Sequence, residues 1–299
     1  MLRAVATPTD MRDWGLVAPG ELDRIVVVSP HLDDAVLGCS YLMAAHPGVT
    51  VVTVFAGRPK EYPSPMERWD SICGFVEGDE VHVVRRAEDA AALAVLDARP
   101  VWLEHVEHSY LERSEWVRPA AVVEGLERSL RELDPTVVFA PFGLANPDHD
   151  CTHDACLLVR ERMSPSPVVG GAGRGPTEGE DERRRYPAPS EPGPERPGAE
   201  GGGSGPSWFC YEDTGYKHIP GLLAWRVSRL LRAGVWPTPA AVPIDVDHER
   251  KLAAYACYPS QIRALEAEWD LGSKLAAPTP EQYWRLAPPP EGWEGLAGA

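Results

Sequence analysis

The chain has 299 residues, of which 43% are hydrophobic and 25% are charged, and these fractions exclude a fibre or a wholly disordered chain. Asp and Glu outnumber Lys and Arg by 45 to 29, and the formal charge of -16 repels phosphate backbones and anionic lipid surfaces. We therefore expect no nucleic-acid partner.

Neither the amino terminus nor the interior carries a segment suited to a membrane. Residues 1–24 lack the continuous apolar core of a signal peptide. Nowhere does the sequence approach 18 uninterrupted apolar residues. We expect a cytoplasmic protein without stable membrane insertion.

The first half of the chain alternates short apolar runs with helical periodicity. Strands are predicted at residues 24–29, 49–55, 100–104 and 136–141. Helices are predicted between them, at residues 34–45, 85–96 and 119–133, where apolar residues recur three and four apart. This alternation predicts an α/β fold, a Rossmann-like three-layer sandwich with a mostly parallel sheet and its site at the carboxyl ends of the strands.

Residues 164–206 differ from the rest in composition, because 20 of these 43 residues are Gly or Pro. Such a segment has almost nothing to bury, so it predicts a flexible surface insertion. After it, residues 207–216 are predicted as a strand, 221–236 as an amphipathic helix and 248–262 as a helix that runs into a polar turn. We therefore predict one domain over residues 1–299, with a core at about 23–270, interrupted by the insertion.

The stretch VVVSPHLDDAVLGCS, residues 26–40, places three ionisable side chains directly after the first predicted strand. His31 and Asp34 are three residues apart across a strand-to-helix turn, so they can converge on one cation, and imidazole with carboxylate suits zinc. Asp33 would then be free to act on a metal-bound water. The alternative is that Asp33 and Asp34 merely cap the helix that follows.

A second polar cluster follows the fourth predicted strand. It comprises Asn146, Asp148, His149, Asp150, His153 and Asp154. Because both clusters lie at carboxyl ends of strands, they can face one crevice. A catalytic zinc usually has three protein ligands, and either His149 or His153 would complete the set with His31 and Asp34.

With PHLDD at residues 30–34 and NPDH at 146–149, the chain resembles the PIG-L (LmbE-like) family of zinc-dependent deacetylases. These enzymes remove N-acetyl groups from glucosamine-containing glycans, glycolipids and natural products. The resemblance implies that His31 and Asp34 bind zinc and that Asp33 is the general base. The family's other zinc histidine closes an H-P-D-H motif, so the resemblance implies His149 as the third ligand rather than His153.

Asn146 departs from the family, since many members have there a histidine that stabilises the oxyanion or protonates the leaving amine. Asn can donate a hydrogen bond to an oxyanion but cannot deliver a proton near neutral pH. The catalytic candidates are Asp33, Asn146 and Asp148. We expect Asp33 to return the proton that it takes, with His153 as a second candidate.

The segment RRAEDAAALAVL resembles the family's R-x-x-E-x-x-A-A helix. It implies Arg85 as the substrate-binding arginine, with Arg86 as the neighbouring alternative. Weaker similarities are YEDTGY, at residues 211–216, and KLAAYACYPSQI, at 251–262.

The resemblance implies an enzyme with one Zn²⁺ per chain that removes an N-acetyl or related N-acyl group from an amino-sugar-containing small molecule or conjugate. Zinc would polarise the acetamide carbonyl and acidify its water. Two alternatives stay open: a catalytically weak sugar-binding homologue, which Asn146 suggests, and a zinc amidase that acts on a non-sugar amide.

Overall fold

A computed structural model describes residue 15, residues 17–164 and residues 205–288. Apart from its two ends, the predicted insertion at 164–206 lies outside the described residues. In the part that is described, no helix combines the length and the apolar character needed to cross a membrane.

A seven-stranded sheet forms the centre of the fold. Its strands are β1 (Ile25–Ser29), β2 (Thr50–Thr53), β3 (Arg99–Trp102), β4 (Val137–Pro141), β5 (Ser207–Tyr211), β6 (Trp236–Ala240) and β7 (Tyr283–Ala287). They lie in the order β3-β2-β1-β4-β5-β7-β6. The first five strands of this order pair in parallel, and β7 pairs antiparallel with both β5 and β6. The predicted mostly parallel sheet is confirmed.

The α-helices of the described residues are α1 (Asp34–Ala45), α2 (Arg68–Cys73), α3 (Val81–Val95), α4 (Pro119–Leu133), α5 (Pro147–Met163), α6 (Leu222–Arg232), α7 (His248–Tyr255), α8 (Pro259–Trp269) and α9 (Leu271–Leu275). The bounds of α1 and α4 are those predicted from the sequence. Helix α3 begins earlier than predicted, at Val81, whose side chain is fully buried.

The alternation of side chains along the strands creates two cores, one on each face of the sheet. Val27 lies in the core that also contains Leu42 of α1 and Leu93 of α3. Its neighbour Val28 lies in the opposite core, with Leu126 of α4 and Val159 of α5. Helices therefore cover both faces, which is the three-layer sandwich.

The carboxyl-terminal part of the sheet differs from the sequence prediction. The helix predicted to reach residue 236 ends at Arg232, because Gly234 adopts a left-handed conformation (φ 75°) that turns the chain into β6. Strand β6 contains two prolines, which an edge strand tolerates. Buried residues continue to Leu286 of β7, beyond the predicted core limit near 270.

Candidate metal centre and cleft

The candidate site lies where two adjacent parallel strands send their helices to opposite faces of the sheet. Strands β1 and β4 pair directly, with Val26 opposite Val138. Helix α1 follows β1 on one face and α5 follows β4 on the other. This divergence opens a crevice at the carboxyl ends of the strands, and it brings the two predicted polar clusters together.

Three of the predicted residues meet in this crevice. One carboxylate oxygen of Asp34, Oδ2, lies 3.1 Å from His31 Nδ1 and 3.1 Å from His149 Nε2. The same oxygen accepts a hydrogen bond from the His31 backbone N–H at 2.9 Å. One potential ligand atom from each of His31, Asp34 and His149 lies within 4.8 Å of the others, an arrangement that can hold a metal ion.

Each histidine directs its other ring nitrogen at a buried carboxylate. His149 Nδ1 lies 2.5 Å from Asp213 Oδ1, and His31 Nε2 lies 3.0 Å from Asp148 Oδ2. Metal-binding histidines typically donate their second N–H to such a carboxylate, which fixes the tautomer and the ring orientation. The donor set therefore fits a divalent metal ion.

The electrostatics of the crevice reflect this crowding of carboxylates and imidazoles. Burial opposes protonation of His149, but the carboxylates of Asp34 and Asp213 raise its pKa to about 9. Burial also acts against ionisation of Asp34, yet His149 and His31 hold its pKa well below the usual range. Asp34 is therefore ionised, and its negative charge interacts favourably with the imidazoles on either side of it.

Asp33 is separate from this cluster although it is adjacent in sequence. It occupies the N-cap position of α1, but its side chain makes no capping hydrogen bond. Its side chain is buried and lines the same cleft. Burial, reinforced by the negative charge of Asp34, raises the pKa of Asp33 to about 7. The capping alternative therefore does not describe Asp33.

Asn146 is the N-cap residue of α5 and is fixed by two contacts. Its Oδ1 accepts a hydrogen bond from the Asp148 backbone N–H at 2.8 Å, which caps the helix. Its Nδ2 therefore faces the Tyr216 hydroxyl, at 3.4 Å. Tyr216 in turn packs edge-on against His149, with ring centroids 5.1 Å apart.

His153 lies one turn further along α5 and outside the cleft. It is fully buried, and its Nδ1 donates to the carbonyl oxygen of Pro141 at 2.9 Å. Burial, together with the positive charge of Arg226, lowers its pKa to about 3. Of the two histidines left open by the spacing, His149 is the one that contacts Asp34.

The two neighbouring arginines of α3 point in different directions. Arg85 lines the cleft and is buried, with Nη2 2.7 Å from Asp70 Oδ1 and Nη1 3.3 Å from Glu107 Oε1. Arg86 instead donates to the Ala56 carbonyl oxygen at 2.8 Å. Of the pair, Arg85 is therefore the one that can reach a ligand in the cleft, although its guanidinium is already paired with carboxylates.

Two carboxylates on the next turn of α3 hold the segment after α7. The Glu88 carboxylate accepts hydrogen bonds from the backbone N–H and the hydroxyl of Ser260, at the start of α8. Asp89 accepts from the Tyr258 hydroxyl and from the Trp102 indole N–H, each at 2.9 Å. Helix α8 in turn brings Gln261 to the cleft wall.

The cleft has a volume of about 340 Å³, within the range of small-molecule sites. Aromatic side chains form part of its walls, namely Trp69, Trp116, Tyr216 and Trp269. Two residues that the sequence analysis gave no role, Asp213 and His108, complete the surroundings of the histidines. Asp213 is inside the YEDTGY string, which was a weak signal for it, and His108 had none.

The fold and the site together describe an α/β protein with a candidate His-Asp-His metal centre at the carboxyl ends of its strands. Residues 26–159 match the PIG-L family, described as GlcNAc-PI de-N-acetylase. The resemblance predicted from the sequence is thereby confirmed. No curated protein sequence matches the chain significantly.

Solved structures with similar folds include three deacetylases. A triple mutant of a teicoplanin-pathway deacetylase has a TM-score of 0.61 and 21% identity, with 90% of this chain and 100% of that chain covered. An antimicrobial pseudoaglycone deacetylase has a TM-score of 0.60 and 25% identity, over 89% and 97%. The N,N'-diacetylchitobiose deacetylase of Pyrococcus horikoshii has a TM-score of 0.50 and 16% identity, over 96% and 95%.

Proposed function

We propose that this protein is a zinc-dependent hydrolase that removes an N-acetyl or related N-acyl group from an amino-sugar-containing small molecule or conjugate. The observation that carries the proposal is that Asp34 contacts both His31 and His149. The adjacent carboxylate, Asp33, lines the same cleft and makes no capping hydrogen bond. The family match and the deacetylase neighbours support the reaction type.

His31, Asp34 and His149 would hold the metal, three protein ligands as in other catalytic zinc sites. When bound, zinc polarises the scissile carbonyl and lowers the pKa of its water toward about 7. The remaining chemistry falls to residues of the chain. Asp213 and Asp148 keep the two imidazoles oriented through their second nitrogens.

Asp33 is the proposed general base. Its carboxylate faces the cleft without a capping hydrogen bond, so its oxygens are available to take the proton of the attacking water. A carboxyl group that has taken this proton can return it to the leaving amine. His153 is a poor second candidate, because it is buried outside the cleft and its Nδ1 is engaged by Pro141.

Asn146 contributes a donor rather than a proton. Its Oδ1 is occupied by the helix cap and one N–H of Nδ2 faces the Tyr216 hydroxyl, so the other amide N–H is left as a donor at the cleft. This N–H can stabilise negative charge on the acyl oxygen. Arg85 is the proposed substrate-binding cation of the cleft, and its pairing with Asp70 and Glu107 fixes its position.

The test is amine release from a substrate panel, measured with and without a chelator. We expect release from N-acetylglucosamine conjugates that is lost with the chelator and restored by zinc. Greater release from acylated amino acids would indicate the non-sugar amidase. Sugar binding without turnover, at stoichiometric zinc, would indicate the weak sugar-binding homologue that Asn146 suggests.

A further inference from the structure

His108 is a buried histidine that has no role in the proposed mechanism. It lies in a short 3-10 turn, His108–Tyr110, after β3, and only 6% of the residue is exposed. Its ring stacks on Trp116 with centroids 4.8 Å apart and meets the edge of Phe55 at 5.2 Å. These contacts explain why an aromatic ring is buried here, but not why the ring is an imidazole.

The polar contacts of His108 supply that reason. Nε2 lies 3.1 Å from the carbonyl oxygen of Val117, which can only accept, so Nε2 carries a hydrogen. Nδ1 lies 2.7 Å from Asp148 Oδ1, a close polar contact in which the ring N–H is not aligned for a linear hydrogen bond. The His108 backbone N–H also donates to the Asp148 carboxylate, at 3.2 Å.

Asp148 connects His108 to the candidate metal centre. Its other oxygen, Oδ2, lies 3.0 Å from His31 Nε2, while His31 Nδ1 faces Asp34. A carboxylate that binds one nitrogen of an imidazole decides which way the other nitrogen points. A continuous chain of polar contacts thus runs from the Val117 carbonyl through His108 and Asp148 to His31.

We propose that His108 is a positioning residue for the metal centre: it holds Asp148, and through Asp148 it holds His31 in the orientation that binds zinc. This inference rests on the proposed metal site. Residues that support metal ligands in this way typically change metal affinity by about 10- to 100-fold when they are replaced. His108 contacts Asp148 and not a metal ligand, and its backbone N–H contact with Asp148 remains in any side-chain variant. We therefore expect a change in zinc affinity at the lower end of that range.

Two matched substitutions separate positioning from packing. In His108→Asn the amide nitrogen can take the place of Nδ1 and keep a donor toward Asp148. In His108→Gln it can take the place of Nε2 and keep the donor toward Val117, while the donor toward Asp148 is lost. The zinc dissociation constant of each full-length variant is measured by competition with a chromophoric chelator.

We expect His108→Asn to bind zinc within about threefold of the unmodified chain and His108→Gln to bind about tenfold more weakly. Equal affinities of the two variants would overturn the inference. Failure of the unmodified chain to bind zinc would instead overturn the proposed metal site itself, so the two failures are distinguishable in one titration.

The unmodified protein offers a second test if both variants fold poorly. A crystal structure of the zinc-loaded protein shows the orientation of the His108 ring directly. We expect Nδ1 to contact the Asp148 carboxylate and Nε2 to contact the Val117 carbonyl oxygen, as they do here. A His108 ring turned away from Asp148 while zinc is bound would overturn the inference.

Discussion

Replacing Asp213 tests how much its contact with His149 contributes to the stability of the fold and to zinc affinity. Only 2% of Asp213 is exposed, and it contacts two donors: its Oδ1 lies 2.5 Å from His149 Nδ1, and its Oδ2 accepts from the Leu144 backbone N–H at 3.3 Å. Asp213→Ala leaves both donors buried without a partner. At about 1–3 kcal/mol for each unpaired group, the free energy of unfolding falls by about 2–6 kcal/mol.

Asp213→Asn has the same shape but keeps only one acceptor atom, so one of the two contacts is lost. We expect a stability loss of about 1–3 kcal/mol and a zinc affinity that falls by about 10- to 100-fold. Stability is measured by urea denaturation of the metal-free protein, and zinc affinity by chelator competition.

Glu212→Gln is the matched control, because the neighbouring carboxylate points elsewhere. Glu212 accepts from the Trp284 indole N–H at 3.1 Å and lies 3.8 Å from Lys217, and a glutamine keeps the acceptor. We expect changes within about 0.5 kcal/mol. An Asp213→Ala protein as stable and as tight in zinc binding as this control would refute the reasoning.

Three further predictions concern other residues. Asp33→Ala should keep its zinc and lose about 10²- to 10⁴-fold in turnover, whereas His149→Ala should lose zinc; metal analysis showing the opposite pattern would mean that the roles are misassigned. Burial raises the pKa of Asp89 from 3.8 to about 6, so the folded state favours its protonated form. Stability should therefore fall as pH rises from about 4 to 7, by up to roughly 3 kcal/mol, and Asp89→Asn should remove that part of the slope in urea titrations; an unchanged slope would contradict it. Gly143 has φ 75°, and an added Cβ would lie 2.6 Å from the Cβ of His153. Gly143→Ala should cost more than about 2 kcal/mol, and an unchanged Tm would show that the turn relaxes.

Much of the fold was predictable because local signals agreed with it. Pro119 at the first turn and a continuous apolar stripe gave α4 its bounds. The strands β6 and β7 were not predicted. Strand β6 is WPTPA, a sequence with two prolines, and it is a strand only because it pairs with β7 at the edge of the sheet. Such pairing depends on tertiary contacts that no local pattern records.

The residues of the candidate site also differ in whether a local pattern predicts them. His31, Asp34 and His149 could be proposed from two short motifs, since each motif directly follows a strand of a parallel sheet. Asp213 could not be assigned to His149, because 64 residues separate them and only the packing of β5 beside β4 brings them together. His108 lies in a loop without periodicity. Its contact with Asp148 likewise depends on tertiary structure.

The central claim is that His31, Asp34 and His149 form one zinc site. The most direct measurement is an anomalous difference map, collected on both sides of the zinc absorption edge, from crystals of the zinc-loaded protein. We predict one peak per chain, bonded to one nitrogen from each of the two histidines and to the Asp34 carboxylate. A map without a peak at these residues, or with zinc bound only elsewhere, would contradict the account.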